Sequence, residues 1–142
     1  MLVSEVLNKK SSSVFTMSPG VSVAEAIGKF KEKKIGAIVI CGPLGKLVGI
    51  VTERDILHSQ ASIGAATLEL NVEEIMSPVQ TCKPDDNVKS VLHLMTYKRV
   101  RHVPVVVEGK LKGMISIGDI VKNQLDEAQL EIDTLRDFAR TR

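Results

Sequence analysis

Two short runs in this chain share a spacing that could do chemistry: Thr52-x-x-Asp55 and Ser116-x-x-Asp119. With hydroxyl and carboxylate at the head of a helix, the carboxylate can accept two hydrogen bonds from a vicinal diol. The free N–H groups and dipole of that helix start also favour a nearby anion. The same pattern is equally a helix cap, satisfying orphan backbone donors with no ligand at all. Spacing alone leaves both open. Arg54 lies inside the first pair, where a guanidinium could grip a phosphate bidentately, and the second pair has Gly118 there, so the two sites should differ. Catalytic chemistry finds less to work with. His102 has no Ser or Cys nucleophile at a recognisable motif, His58 and His93 stand apart from it in pattern, and no residues show metal-ligand spacing. Neither an enzyme nor a metal site is expected. The GPLGK stretch, Gly42 to Lys46, lacks the spacing and hydroxyl of a P-loop and reads as a hairpin turn.

The elements that must position these pairs come from an internal repeat. A shift of 65 superposes Thr16 on Thr81, Pro19 on Pro84, Val23 on Val88 and Lys33 on Lys98. After one residue is dropped near Pro43, a shift of 64 superposes Gly45 on Gly109, Leu47 on Leu111, Gly49 on Gly113, Asp55 on Asp119 and Ile56 on Ile120. Upstream, Val3, Val6 and Leu7 echo Val72, Ile75 and Met76, so each copy begins with a short amphipathic turn.

Within each copy the hydrophobic period changes twice. Ser22-x-x-Glu25 is a capping box ahead of Ala26, Ile27 and Phe30; Asn87 takes the cap position ahead of Val88, Val91, Leu92 and Met95. A β-rich hairpin follows in each, Ala37 to Cys41 with Leu47 to Val51, and Val103 to Val107 with Leu111 to Ile115. The two Asp pairs then open second helices. The expected fold class is α+β, an α/β-type sandwich of two βαββα units related by a pseudo-two-fold axis, with a long C-terminal helix. Residues 1–70 form the first unit with its connector, 71–124 the second and 125–142 the tail, together one compact domain. Ser62 to Thr67, rich in small residues, is expected to be the loose part of the connector.

Composition excludes several classes. At 142 residues with 44% hydrophobic and 25% charged residues, the chain can build a real core and is not of disordered composition. One Tyr, three Phe and no Trp leave little for base stacking, and a net charge of +2 is far from a phosphate-tracking stripe, so nucleic acid is disfavoured as a partner. No window approaches the ~18 apolar residues of a membrane span, and the first ten residues lack a signal-like apolar run. A soluble cytoplasmic protein is expected, with Cys41 and Cys82 as core thiols.

The runs Gly49 to Asp55 (GIVTERD), Gly113 to Asp119 (GMISIGD) and Arg101 to Val106 (RHVPVV) resemble the cystathionine β-synthase (CBS) domain family, whose members occur in tandem as Bateman modules. The resemblance covers the whole chain except the C-terminal tail. It implies a regulatory sensor that binds AMP, ADP, ATP or, in some members, a dinucleotide such as NAD or S-adenosylmethionine between the copies, and signals to a partner protein. It further implies that Thr52 with Asp55, and Ser116 with Asp119, hold ribose hydroxyls. Phosphates would meet Arg54, Lys34, Lys98 and Arg99. The Asp119 cleft would take its base wall from Val14 and Phe15, and the Asp55 cleft from Val79 to Thr81, with His102 and Pro104 on the cleft-lining strand.

Beyond Asp119 there is no Gly or Pro, and Val121, Leu125, Ala128, Ile132, Leu135 and Ala139 recur at spacings of four and three. That is the seam of a coiled-coil-like helix, and it suggests a homodimer. The competing function is a constitutive dimerisation or scaffold module with empty clefts.

Overall fold

The computed structural model describes residues 1–10 and 14–140. In chain order the first copy comprises α1 (Val3–Asn8), β1 (Thr16–Met17), α2 (Val23–Lys33), β2 (Ala37–Cys41), β3 (Leu47–Thr52) and α3 (Glu53–Ile63). The second comprises a short 3-10 turn (Val72–Glu74), α4 (Val88–Lys98), β4 (His102–Val107), β5 (Lys110–Ser116) and α5 (Ile117–Arg140). This is the expected α+β arrangement, with α5 carrying the second-copy helix without a break into the tail. Residues 141 and 142 of that tail lie outside the described residues.

Local chemistry sets the boundaries. Ser22 Oγ accepts from the Glu25 N–H at 3.2 Å and Asn87 Oδ1 from the Lys89 N–H at 2.8 Å, so both first helices start where the caps predict. Both also end alike, in the left-handed region: Lys34 has φ 53° and Arg99 φ 55°. A residue with a Cβ is costly there, and a glycine would be the relaxed choice. The second hairpin turns through Glu108 and Gly109, both with positive φ, as a tight two-residue connection requires.

Three strands pair in the first copy, β1 parallel to β2 and β2 antiparallel to β3. In the second copy β4 and β5 pair, but the leading strand shrinks to one parallel bridge, Cys82 to Val105. Its register matches that of Met17 on Ile40 in the first copy. Thr81, expected on that strand, is exposed. The connector also departs from expectation. It is helical: α3 runs to Ile63, a 3-10 segment follows over Gly64–Glu69, and fully buried Thr67 shares a 2.9 Å hydroxyl hydrogen bond with Ser59. The small residues Ala61, Ser62, Ala65 and Ala66 lie on these helical turns but are exposed, and Thr67 is the buried one.

The decisive feature is where the short lead-in turns go. Val3 and Val6 of α1 are fully buried among Cys82, Val88, Val91, Met95, Val103, Val105, Ile115 and Ile120, the core of the second copy. Val72 is fully buried with Val23, Phe30, Ile38, Ile40 and Val51, the core of the first. Backbone bonds match this exchange position for position. The Val3 and Ser4 N–H groups donate to Asp86 O and Pro84 O (both 2.9 Å), and those of Val72 and Glu73 donate to Val21 O (2.8 Å) and Pro19 O (3.3 Å). Two glycines make room for the residues that follow: a Cβ on Gly113 would sit 3.1 Å from Leu7, and one on Gly49 only 2.6 Å from Met76. Each core is therefore completed by the other copy. Val6→Ala should cost about 2 kcal/mol in urea unfolding, the scale of two lost buried methyl groups. Hydrogen-exchange protection should fall first at Val103, Val105 and Ile115; loss confined to β2 and β3 contradicts the exchange.

Candidate functional site

Crossing leaves each chain segment to return to its own sheet, and here the copies diverge. Residues 8–13 lie between Leu7 and Val14, whereas only Ser77 and Pro78 lie between Met76 and Val79. The short return lies tight against the first copy: Ile50 and Ser77 exchange backbone hydrogen bonds (3.2 and 2.9 Å), and Ser77 Oγ donates to Asp55 Oδ1 at 2.7 Å. Asp55 Oδ2 accepts from the Thr52 N–H at 2.8 Å and from Thr52 Oγ1 at 3.1 Å. Both carboxylate oxygens of Asp55 are thus engaged inside the protein.

A cleft of about 600 Å³ opens where Lys10 and Val14 flank the longer return. Its walls come from both copies: Lys10, Val14, Phe15, Lys33, Lys34, Gly36 and Ala37 from the first, and His102, Met114 and Ser116 from the second. Five expected site residues, Val14, Phe15, Lys34, His102 and Ser116, therefore meet in one place. Asp119 sits behind Ser116. Its N–H donates to Ser116 Oγ at 3.1 Å, and its Oδ2 accepts from the Ser116 N–H at 2.9 Å, a closed capping box.

The remaining expected residues do not share this cleft. Pro104 is buried in β4, where its carbonyl accepts from the Cys82 N–H at 3.0 Å. Arg54, Lys98 and Arg99 are exposed, and none of them lines the described cavities. The clefts do differ, but through the lengths of the returning segments as well as through Arg54 and Gly118.

Sequence reasoning missed Lys10. Its ammonium donates to Asp119 Oδ2 at 2.8 Å and to the Met114 carbonyl at 2.9 Å, closing a salt bridge at the rim of the cleft. The signal available was the extra length of residues 8–13, which carries two lysines. Lys33 is spent differently, its Nζ lying 4.9 Å from the centre of the Phe15 ring.

Electrostatics follow from these contacts. Burial pushes the Asp119 carboxyl up, but the Lys10 hydrogen bond, the Ser116 backbone bond and the Lys10 charge outweigh it and hold the group below its ordinary value. Burial lowers His102, and the Lys10 charge lowers it further against the pull of Asp119, which favours a neutral ring able to donate and accept. Burial raises both thiols, Cys82 to about 12 with the charge of Asp86 adding to it, and both cysteines are free. Among the described residues no cluster of His, Cys, Asp or Glu could hold a metal ion, and no helix is long and apolar enough to cross a membrane.

The CBS domain model matches residues 3–62 and again 72–126. The chain belongs to the CBS domain family, as a tandem pair. It is 31% identical over 127 residues to an uncharacterized 17.7 kDa protein of Acidianus ambivalens, covering 88% of this chain and 76% of that one. Among solved structures, the CBS-domain containing protein ATU1752 of Agrobacterium tumefaciens superposes with a TM-score of 0.82 at 40% identity, covering 87% of this chain and 92% of the other. The CBS domain pair of protein MJ0100, in complex with 5′-methylthioadenosine and S-adenosyl-L-methionine, superposes with a TM-score of 0.78 at 28% identity, covering 89% and 98%.

The Lys10–Asp119 pair has a pH signature. Because the folded carboxyl titrates below its unfolded value, its contribution is present above about pH 4 and is lost as pH falls through the lower folded value. Lys10→Met should therefore lower urea stability more at pH 7 than at pH 3, flattening the acid limb. Equal losses at the two pH values contradict the coupling.

Proposed function

We propose that this CBS pair is a non-catalytic regulatory module that binds one adenine nucleotide, AMP, ADP, ATP or a dinucleotide such as NAD, in the cleft beside Asp119. The observation that carries this is the cleft itself, which unites Val14, Phe15, Lys34, His102 and Ser116 from two copies in a volume suited to a small ligand. The MJ0100 complex supports the ligand class, since both of its ligands are adenosine derivatives.

Each group has a role in that scheme. The ribose diol is held by Ser116 and by Asp119 through Oδ1, with Lys10 remaining on Oδ2. Lys34, on the first-copy wall of the cleft, is the counter-charge for phosphate, and Lys10 keeps the part-buried Asp119 carboxylate paired while the nucleotide is bound. Val14 and Phe15 face one side of the base, and the neutral His102 is available to its polar edge. Because the walls belong to different copies, a bound nucleotide favours one relative pose of the copies over another, and a partner protein that distinguishes those poses is regulated. The module acts as a homodimer in a reducing cytoplasm, consistent with two free cysteines.

A second function is favoured by different observations. Both Asp pairs already form complete caps, and α5 presents an exposed apolar face, which suits a constitutive dimerisation scaffold needing no nucleotide. Thermal unfolding against AMP, ADP, ATP, NAD and S-adenosylmethionine separates the two, since any ligand of the folded state raises the melting temperature. The sensor requires a rise with at least one phosphate-bearing ligand. Asp119→Ala should then weaken that ligand by about tenfold or more, the scale of a charge-assisted hydrogen bond, while Asp55→Ala changes it by less than about twofold. No shift with any of them at millimolar concentration favours the scaffold.

A further inference from the structure

The exposed face of α5 has an ordered pattern. Val121 and Leu125 are 46% and 65% exposed, and Ile132 and Leu135 are 44% and 64% exposed; with Ala128 and Ala139 they form one stripe. In heptad terms Leu125, Ile132 and Ala139 are a positions, and Val121, Ala128 and Leu135 are d positions. The residues that α5 buries in its own domain, Ile120 and Asn123, fall at c and f, on the side away from the stripe. Packing of α5 on its own domain therefore does not account for the stripe. Leu130, at f, lies off the seam.

The flanking charges then specify orientation. Lys122, Gln129 and Arg136 occupy e, and Gln124, Glu131 and Phe138 occupy g. In a parallel pair of such helices, g of one strand meets the following e of the other, which sets Glu131 against the partner's Arg136 twice across the two-fold axis. An antiparallel pair with the same six layers overlapped sets Lys122 against the partner's Arg136 and Glu131 against the partner's Glu131. All of those contacts are repulsive. We propose that α5 pairs with α5 of a second copy as a parallel, in-register coiled coil over Val121–Ala139, with Glu131 and Arg136 fixing its direction. This rests on the homodimer proposed above. Over 19 residues the seam is about 28 Å long. So short a seam is marginal as a free peptide, and the dimer depends on concentration.

The test uses the full chain, whose seam residues are exposed and can be changed without touching either core. Sedimentation equilibrium should show a dimer, with Leu125→Glu plus Leu135→Glu shifting it to monomer. Arg136→Glu should weaken the dimer about three- to tenfold, and Glu131→Arg with Arg136→Glu should restore it to within about twofold, the scale of a few exposed ion pairs. In a Cys41→Ser background, Ala139→Cys should cross-link two chains on mild oxidation, because antiparallel pairing would separate the two introduced thiols by about 27 Å. Tighter association of Arg136→Glu, or no cross-link, overturns the parallel geometry. A dimer that survives the double Glu substitution overturns the seam while leaving the homodimer intact; a wild-type chain that stays monomeric overturns both.

Discussion

Each hydrophobic core of this chain is closed by a segment that belongs, in sequence, to the other copy. Val3 and Val6 complete the second core and Val72 completes the first, and all three are fully buried. Neither unit buries its apolar face alone, so the pair folds as one body. Matching hydrogen bonds from Val3 to Asp86 and from Val72 to Val21 keep the exchange symmetric.

Symmetry ends at the return. Two residues bring the chain back in the second copy, and Ser77 reaches Asp55; six residues bring it back in the first, and a cleft remains. Lys10 lies on that longer return and neutralises Asp119, which burial would otherwise drive toward its protonated form. The capping box at Asp119 and a ligand role for Asp119 are not alternatives. The cap uses the Ser116 hydroxyl and one carboxylate oxygen, and it fixes the carboxylate in place before any ligand arrives.

Much of this was legible in the sequence, and what was not has physical reasons. The hairpins and capped helices could be read because the hydrophobic period switches between 3.6 and 2 within each copy, and Ser22 and Asn87 mark helix starts. The exchange could not. An amphipathic turn at Val3 to Leu7 says that a face will be buried, but carries no information on which core receives it. The connector misled because Ala and Ser suit loops and helical turns alike, and the part-buried Ser59–Thr67 hydrogen bond decides between them only in three dimensions. Of the proposed binding residues, those on or beside the longer return converge. Lys98, Arg99 and Arg54 do not line the cleft; on their side the return is two residues long and Ser77 bonds to Asp55.

One cleft is open beside Asp119, and at Asp55 the chain's own Ser77 takes a carboxylate oxygen. Isothermal titration calorimetry with the nucleotide that gives the largest thermal shift measures this directly, as stoichiometry per chain. One site per chain, lost in Asp119→Ala and kept in Asp55→Ala, is the predicted result. Two equivalent sites per chain, or one site lost with Asp55 instead, would contradict it.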